Sequence, residues 1–438
     1  MRDSATVRLL RENPDFTRVY IAQLISFAGD WFATVALLGL ALQLTGSAAV
    51  TSLVLVLQTG PFFLVAPFAG SLADRLDRRR LMVTADLCRV VVCAGFLLVT
   101  GADTLWIGLV CATLLSVGAA FFEPASASAL PNLVDPKDLG TANALLGSAW
   151  GTMVAVGAAA GGVVAATLGS EVAFILNGVS FALSALLITG VKRSFQQRSA
   201  PGAVAEGHGS AAGEPGPPVP TGLAGVRSSI DETLKLARGS RTIAAYLLTK
   251  TSFGAGMGVL VLLAVFGRDV FGGGDVGIGV MYAARGLGAL TGPFLARRWA
   301  GDDDRAIIRA ISVAVLLFIG SYALLPFAPG LAVAATFVFC AHLGGGIEWM
   351  LSGYALQRRV PDAVRGRVLS IDFALVTLVT ACSQLIAGAL ATFAGPTETL
   401  YVMVTIVAIT GSLWLLWTRP LRRAPGPGTA AASTTLPR

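Results

Sequence analysis

The chain has 438 residues, of which 55% are hydrophobic and only 13% are charged. Soluble domains carry about 25% charged residues, because a water-facing surface needs them. The composition therefore argues against a soluble enzyme, a disordered chain and a nucleic-acid-binding protein, despite a formal net charge of +7.

Twelve apolar segments follow one another along the chain. A helix that crosses a bilayer needs about 20 mostly apolar residues. The first segment is too long and lies too far from the start for a cleaved signal peptide, so we expect it to be retained. We predict an all-α integral membrane protein whose spanning segments lie near residues 18–43, 48–72, 81–101, 104–129, 140–168, 171–191, 242–267, 275–297, 306–326, 330–357, 367–394 and 397–418.

The basic residues are distributed very unevenly between the two sides of these segments. Of the 32 Lys and Arg residues, 28 fall in the termini and loops of one side, and only Arg268 falls on the other. Short cytoplasmic loops collect Lys and Arg. We therefore expect both termini to be cytoplasmic and the protein to lie in a bacterial plasma membrane.

The middle of the chain has a different composition. Residues near 195–222 are rich in Gly, Pro, Ala and Ser, which predicts a flexible linker. The stretch from Leu223 to Arg238 predicts a short amphipathic helix on the membrane surface. The predicted units are an N-terminal six-helix bundle (1–192), a cytoplasmic linker (193–240), a C-terminal six-helix bundle (241–420) and a disordered cytoplasmic tail (421–438).

The two bundles resemble each other weakly, since segment 2 ends in GSLADR from Gly70 and segment 8 ends in GPFLAR from Gly292. Such half-repeats are typical of secondary transporters. The run GSLADRLDRRR, residues 70–80, resembles the loop motif of the major facilitator superfamily, with Asp77 where Gly is usual. Further stretches resemble the bacterial branch of enterobactin exporters and macrolide-efflux proteins over roughly residues 14–420. They are FFEPA at 121–125, LPNLV at 130–134, Ala142-Asn143, Val360-Pro361 and RGRV at 365–368.

The sequence also departs from this pattern. In the helix-5 motif of the antiporters, Ala158 stands where Pro is usual, and segment 4 lacks the Arg of many drug/proton antiporters. The second copy of the loop motif has Ala296 where the first has Asp74. These differences weaken a direct transfer of the antiport mechanism.

The resemblance implies a cytoplasmic gate. Asp74 would face the start of segment 11, where the helix dipole favours a carboxylate, and Arg75 would pair with an acid such as Asp135 or Asp138. The alternative is that the basic run Arg78–Arg80 serves only as a topology signal. The expected gate residues are Gly70, Asp74, Arg75, Asp135, Arg365 and Arg367.

Two pairs of glycines are spaced four residues apart, Gly157 with Gly161 and Gly288 with Gly292. Small residues at this spacing allow helices to approach closely. The resemblance places these helices at the interface between the two halves. Ordinary tight packing is the alternative.

Charges inside the membrane are costly and mark functional sites. Four of the deep charges fall on segments 1, 4, 7 and 10, which line the central cavity in the superfamily. A buried carboxylate without a partner can carry a proton. Our hypothesis is that Glu123 or Glu348 carries the proton and that Lys250 pairs with an acid across the cavity. Asp30 is the third candidate for the proton carrier, because pairing with Arg285 would be its other role, and the alternative is that some of these charges are solvated cavity walls. The five deep charges are Asp30, Glu123, Lys250, Arg285 and Glu348.

Two further acids have closer basic neighbours. Asp86 and Arg89 would pair with each other, and Asp372 would join the cytoplasmic charge network near Arg367. The aromatic residues Phe122, Trp349 and Trp31 adjoin the cavity acids and are expected to line an apolar substrate pocket.

These features favour a proton-coupled exporter of amphipathic drugs or siderophores that works by alternating access. The alternatives are a lipid or lysophospholipid flippase on the same fold and, less favoured, a membrane enzyme or a channel. The sequence lacks the motifs of zinc proteases, α/β-hydrolases and P-loop ATPases. We expect no cofactor and no metal, a proton gradient as energy source, and a monomer whose partners are the bilayer and the substrate.

Overall fold

The computed structural model describes residues 5–195, 222–301 and 303–423, and within these ranges every regular element is helical. Short 3-10 or π turns at Phe96–Leu98, Ala102–Thr104, Phe266–Val270 and Leu325–Phe327 adjoin the α-helices. The helices are α1 (Ala5–Glu12), α2 (Pro14–Thr45), α3 (Ala48–Arg75), α4 (Arg78–Gly95), α5 (Leu105–Leu133), α6 (Leu139–Leu168), α7 (Ser170–Thr189), α8 (Gly222–Gly239), α9 (Arg241–Ala255), α10 (Val259–Val265), α11 (Gly274–Ala300), α12 (Asp304–Leu324), α13 (Leu331–Arg359), α14 (Asp362–Ala394), α15 (Pro396–Trp417) and α16 (Arg419–Arg423).

Within the described ranges, ten helical stretches are long and apolar enough to cross a membrane, with α9, α10 and the π turn counted as one stretch. Helix α3 occupies the position of predicted segment 2, and Ala48–Pro61 is the apolar part of it that is described with its side chains. Helix α11 occupies segment 8 and carries Arg285 among several glycines. A helix therefore stands at each predicted position, and the full count of twelve spans stays a prediction.

Local capping explains where several helices begin. The Asn13 side chain accepts a hydrogen bond from the Phe16 backbone N–H at 3.0 Å, and Pro14 occupies the first turn of α2. At the start of α4, the Asp77 carboxylate accepts from the Arg80 backbone N–H at 2.9 Å. The residue that departs from the usual Gly of the loop motif is therefore a helix cap in this chain.

Helices α2–α7 form an N-terminal half and α9–α15 form a C-terminal half. We call the end of the helices that carries Pro14, Arg241 and Trp417 the terminal end, and the opposite end the far end. The halves meet through α6 on α11 and through α3 on α14.

The buried core shows which end of the molecule is closed. At the far end, one continuous cluster includes side chains of both halves, such as Val35 and Ala158 with Leu262 and Ile278. At the terminal end, the buried clusters of the two halves are separate. Among the described residues, the halves are therefore joined at the far end and divided at the terminal end.

Glycines permit the contact between α6 and α11. A Cβ atom on Gly162 would lie 2.7 Å from the Asp275 carbonyl oxygen and 2.9 Å from the Gly279 Cα. A Cβ on Gly279 would lie 2.6 Å from the Ala158 carbonyl oxygen. Backbone therefore packs on backbone, which only glycine allows.

The glycines singled out in the sequence have other neighbours. Gly157 and Gly161 face residues of α2, whereas Gly288 and Gly292 face α13. They allow close packing inside each half, and the interface between the halves uses different glycines. The spacing of four identifies one face of a helix, but it does not identify the helix that packs there.

Helix α8 lies where the short amphipathic helix was expected. Its Leu236 and Ala237 pack on the core of the C-terminal half, while Ile230 and Leu234 are exposed. Its placement on a membrane surface stays a prediction. The predicted flexible linker lies outside the described residues from 196 to 221, as does the predicted tail from 424 onward.

Candidate functional site

A cavity of about 200 Å³ lies inside the N-terminal half. Helix α2 supplies Asp30 and Trp31, α5 supplies Glu123, and α6 supplies Trp150. The structure thus brings together two of the acids predicted from sequence. The other lining residues are Phe27, Ala33, Thr34, Leu37, Gln58, Phe96, Ala112, Leu115, Ser116 and Ala119.

Hydrogen bonds fix the polar wall of this cavity. The Gln58 amide donates to the Thr34 hydroxyl at 3.0 Å, and the Ser116 hydroxyl donates to the Gln58 backbone carbonyl at 2.7 Å. Helices α2, α3 and α5 are therefore held in register around the two carboxylates. Such a pocket, with mostly apolar walls and a few placed polar groups, has the composition of a small-molecule site.

A buried ion pair lies behind the cavity. Arg89 pairs with Asp86 on the same helix, and the Ser184 hydroxyl donates to Asp86 at 2.6 Å. Arg89 lies within electrostatic range of both Asp30 and Glu123. The predicted Asp86–Arg89 pair is therefore formed, and sequence reasoning missed that Arg89 is also a counter-charge for the cavity acids.

Phe122 belongs to the surroundings of this ion pair. It is 3% exposed and lies 4.9 Å from the Arg89 guanidinium, measured to the ring centroid, while Phe181 lies 4.2 Å away. Phe122 is absent from the cavity lining, although the sequence suggested a pocket role. Its neighbour Glu123 points into the cavity instead, because adjacent helix positions face different directions.

Arg285 of α11 is surrounded by aromatic rings. Its guanidinium lies 5.8 Å from the ring centroids of Trp31, Trp150 and Tyr282. No ion pair of Arg285 occurs among the described residues, so the pair with Asp30 suggested by the sequence is not formed. Trp31 and Trp150 therefore lie near Arg285 and also line the cavity.

The C-terminal half contains a second group of buried charges. Lys250 pairs with Asp372 of α14, and the Lys250 Nζ lies 5.1 Å from the Trp349 ring centroid. Glu348 is 1% exposed, and neither of its carboxylate oxygens has a hydrogen-bond partner in the described part of the chain. Lys250 lies within electrostatic range of Glu348. A buried acid without a bonded partner thus lies beside an intact ion pair.

This arrangement corrects the expected partner of Lys250, which belongs to its own half and not to the opposite wall of the cavity. The error came from the start of α14. That helix begins at Asp362, five residues before the predicted segment, so Asp372 lies about 15 Å along it at 1.5 Å per residue. That depth matches the position of Lys250 along α9.

Predicted segment 7 is interrupted near its middle. Helix α9 ends at Ala255 and α10 starts at Val259. The Ser383 hydroxyl bridges the break, because it donates to the Ala255 carbonyl at 2.6 Å and accepts from the Gly258 N–H at 2.8 Å. Broken helices often border transporter binding sites. The three glycines at 254, 256 and 258 were the available signal, and sequence reasoning missed it.

The expected gate is only partly described. Gly70 and the side chains of Asp74 and Arg75 lie outside the part of the chain whose packing is described. Asp135 lies 3.8 Å from Arg193, and Arg367 pairs with Glu232 of α8 at 2.7 Å. Neither of these contacts joins a helix of the N-terminal half to a helix of the C-terminal half. Arg365 is a partly buried residue of α14.

The neighbouring basic run does more than mark topology. Arg78 donates to the Ser128 carbonyl at 2.7 Å and to the Phe195 carbonyl at 3.3 Å. Arg79 donates to the Val191 carbonyl. These bonds tie the start of α4 to segments of the N-terminal half that are distant in sequence.

Comparison with known proteins identifies the family. A model of the Major Facilitator Superfamily matches residues 19–372. The chain belongs to this superfamily. It is therefore a membrane transporter of the Major Facilitator Superfamily, and the family named from the loop motif is confirmed.

Two relatives bear names that describe export. A Bacillus subtilis protein named as a bacilysin exporter, BacE, is 25% identical over 368 residues, which cover 83% of this chain and 86% of that protein. The multidrug efflux pump Tap of Mycobacterium tuberculosis is 29% identical over 411 residues, which cover 90% and 91%.

Solved structures with a similar fold include a bacterial homologue of the human lysosomal transporter Spinster in an inward-facing and unoccupied conformation. It aligns with a TM-score of 0.69 at 14% identity and covers 98% of this chain and 100% of that chain. A bacterial homologue of the iron transporter ferroportin in an inward-facing state aligns with a TM-score of 0.64 at 16% identity, covering 94% and 99%. At these identities the likeness concerns the fold alone.

Proposed function

We propose that this transporter is a proton-coupled exporter of amphipathic small molecules in a bacterial plasma membrane, with both termini in the cytoplasm. The observation that carries the proposal is the cavity that joins Asp30 and Glu123 to the aromatic walls Trp31 and Trp150. Aromatic walls suit an apolar substrate body, and carboxylates in the membrane interior suit exchange of a proton.

The packing of the halves supports alternating access. The halves are joined at the far end and separate at the terminal end. If the terminal end is cytoplasmic, as its excess of Lys and Arg favours, this is the state that takes up substrate from the cytoplasm. Transport would require the far-end contact of α6 with α11 to open.

Two glutamates are the proposed proton carriers. Glu123 lines the cavity, whereas Glu348 is buried without a bonded partner beside the Lys250–Asp372 pair. A lone carboxylate of this kind is costly to keep charged in a membrane interior, which favours uptake and release of a proton. Asp30 shares the cavity and is the third candidate.

Export as the direction of transport rests on the two relatives. BacE and Tap are named for export and efflux, and each alignment covers most of both chains. The amphipathic character of the substrate rests on the lining of the cavity, which combines aromatic rings with two acids and an amide.

Everted membrane vesicles test the proposal. Vesicles containing the transporter are given a panel of amphipathic dyes, macrolides, siderophores and fluorescent lipids, with and without a proton gradient. We expect gradient-dependent accumulation of at least one small molecule. Accumulation should be abolished in Glu123→Gln or in Glu348→Gln and retained in Glu171→Gln, which neutralises an exposed acid in the first turn of α7.

Two results would contradict the proposal. Unchanged gradient-dependent accumulation in both glutamate variants would remove their role as proton carriers. Movement of lipids in the absence of any small-molecule transport would indicate a flippase.

A further inference from the structure

The aromatic cage around Arg285 is built from both halves of the transporter. Trp31 belongs to α2 and Trp150 to α6, whereas Tyr282 precedes Arg285 by three residues on α11. All three ring centroids lie 5.8 Å from the guanidinium carbon, within the range of a cation–π interaction. A cation of the C-terminal half is thus held mainly by rings of the N-terminal half.

This cage shares two walls with the acidic cavity. Trp31 and Trp150 line the cavity together with Asp30 and Glu123. Trp150 is 46% exposed, so one wall of the cage is only partly covered by the protein. Three aromatic rings beside two carboxylates form a recognition site for an organic cation, since the rings and the acids both attract positive charge.

The present occupant of the cage is itself an organic cation on a flexible tether. No carboxylate pairs with Arg285 among the described residues, so the rings are its principal contacts there. A side chain held by rings alone can be displaced without leaving a carboxylate unpaired. Displacement would therefore cost less than the breaking of a buried ion pair.

We propose that Arg285 is an internal substitute for the cationic group of the substrate. In this state its guanidinium occupies an aromatic cage that receives an organic monocation, such as a quaternary ammonium, a protonated tertiary amine or a guanidinium group. The term substrate rests on the function proposed above, whereas the competition between Arg285 and a cation for the cage does not require transport.

Displacement of Arg285 from the cage by a substrate cation links substrate binding to the contact between the halves. While Arg285 occupies the cage, its side chain connects α11 to α2 and α6. A cation that enters the cage removes this connection and leaves its own contacts largely within the N-terminal half. The empty carrier is thereby held in the present state, and the loaded carrier is freed to change.

Binding to the purified full-length protein in lipid nanodiscs tests the proposal. The probe is benzyltrimethylammonium, whose charge does not depend on pH, and its neutral isostere neopentylbenzene is the comparison. Binding is measured by calorimetry with empty nanodiscs as the blank. We expect Arg285→Ala to bind the cation on the order of tenfold more tightly than the unaltered protein, because the cage is vacated.

Three variants separate the cage from other effects. Arg298→Ala removes a positive charge from an exposed position on the same helix and should leave the affinity for the cation unchanged. Trp150→Leu added to Arg285→Ala should abolish the gain, whereas Trp106→Leu, at an exposed tryptophan of α5, should preserve it. Arg285→Gln, which removes the charge and the guanidinium but keeps a shorter polar side chain, replaces Arg285→Ala if that protein does not fold.

Several outcomes would overturn the inference. An unchanged affinity in the Arg285 variant that folds would show that the guanidinium does not block the site. A gain that survives Trp150→Leu would indicate relief of charge repulsion, and an equal gain for neopentylbenzene would indicate a merely wider apolar cavity. None of these readouts uses a proton gradient, so failure of the exporter proposal in vesicles would leave the binding result intact, and the reverse also holds.

Discussion

A methyl group added at Gly162 should open the far end of the transporter. The new Cβ would lie 2.7 Å from the Asp275 carbonyl oxygen and 2.9 Å from the Gly279 Cα, so neither neighbour can rotate away as a side chain would. Both distances are well below ordinary contact, and overpacking of this kind costs about 1–3 kcal/mol. The clash exists only while α6 and α11 are in contact, so the cost falls on the state closed at the far end.

The equilibrium between the two states then measures the strain. A factor of ten corresponds to about 1.4 kcal/mol, so Gly162→Ala should raise the ratio of far-end-open to far-end-closed molecules by about 5- to 150-fold. The assay is the rate at which a membrane-impermeant maleimide labels a cysteine placed at Ala165, which is buried at the far end of α6. The five native cysteines are replaced beforehand.

Gly157→Ala is the matched control on the same helix. Its Cβ would lie 3.0 Å from the Trp31 Cβ and 3.2 Å from the Ala28 Cα, both within the N-terminal half. This strain does not depend on which end is open, so it should lower thermal stability without raising the labelling rate. If Gly162→Ala behaved in the same way, the glycine contact would not be the far-end gate.

Two further substitutions probe buried polar contacts of the C-terminal half by thermal unfolding in detergent. Asp372→Asn should destabilise the protein by about 3–5 kcal/mol because it leaves Lys250 charged and unpaired. The double variant Asp372→Asn with Lys250→Met should recover much of this loss. An equal loss in the single and the double variant would contradict the role of the ion pair. Ser383→Ala should cost about 1–3 kcal/mol because it leaves the Gly258 N–H and the Ala255 carbonyl without their bridging hydroxyl, and an unchanged melting temperature would show that another group replaces it.

The sequence alone located the cavity acids but not their partners. Asp30 and Glu123 could be identified because a charge inside an apolar segment stands out in a single chain. Their common cavity and the reach of Arg89 depend on how separate helices are rotated against one another. A weakly amphipathic membrane helix carries little information on that rotation, since the hydrophobic pattern that orients helices of soluble proteins is nearly absent.

Errors in helix boundaries had larger consequences than errors in helix identity. The five residues by which α14 starts early moved Asp372 from the expected charge network at the terminal end to the buried position beside Lys250. The break between α9 and α10 depends on a hydroxyl from α14 that no local pattern reveals. The rotation of α6 likewise decides which glycine lies at the interface between the halves. Gly161 faces α2 within the N-terminal half, whereas the adjacent Gly162 faces α11 of the C-terminal half.

The balance of interior charges connects the two proposals. Among the side chains that the structure describes, three basic groups of the interior face five acids, and two of these acids pair with Arg89 and Lys250. One further positive charge, Arg285, lies next to the cavity without a bonded acid. Two positive charges would therefore still be needed for neutrality, which one proton and one organic cation would supply.

A net charge in the membrane interior is costly. The proton and the organic cation would therefore compete only where both neutralise the same acid. Cation binding that weakens when Glu123 is neutralised, but not when Glu348 is, would thus assign the cation to the N-terminal half and leave the proton to the C-terminal half. The five acids are Asp30, Asp86, Glu123, Glu348 and Asp372.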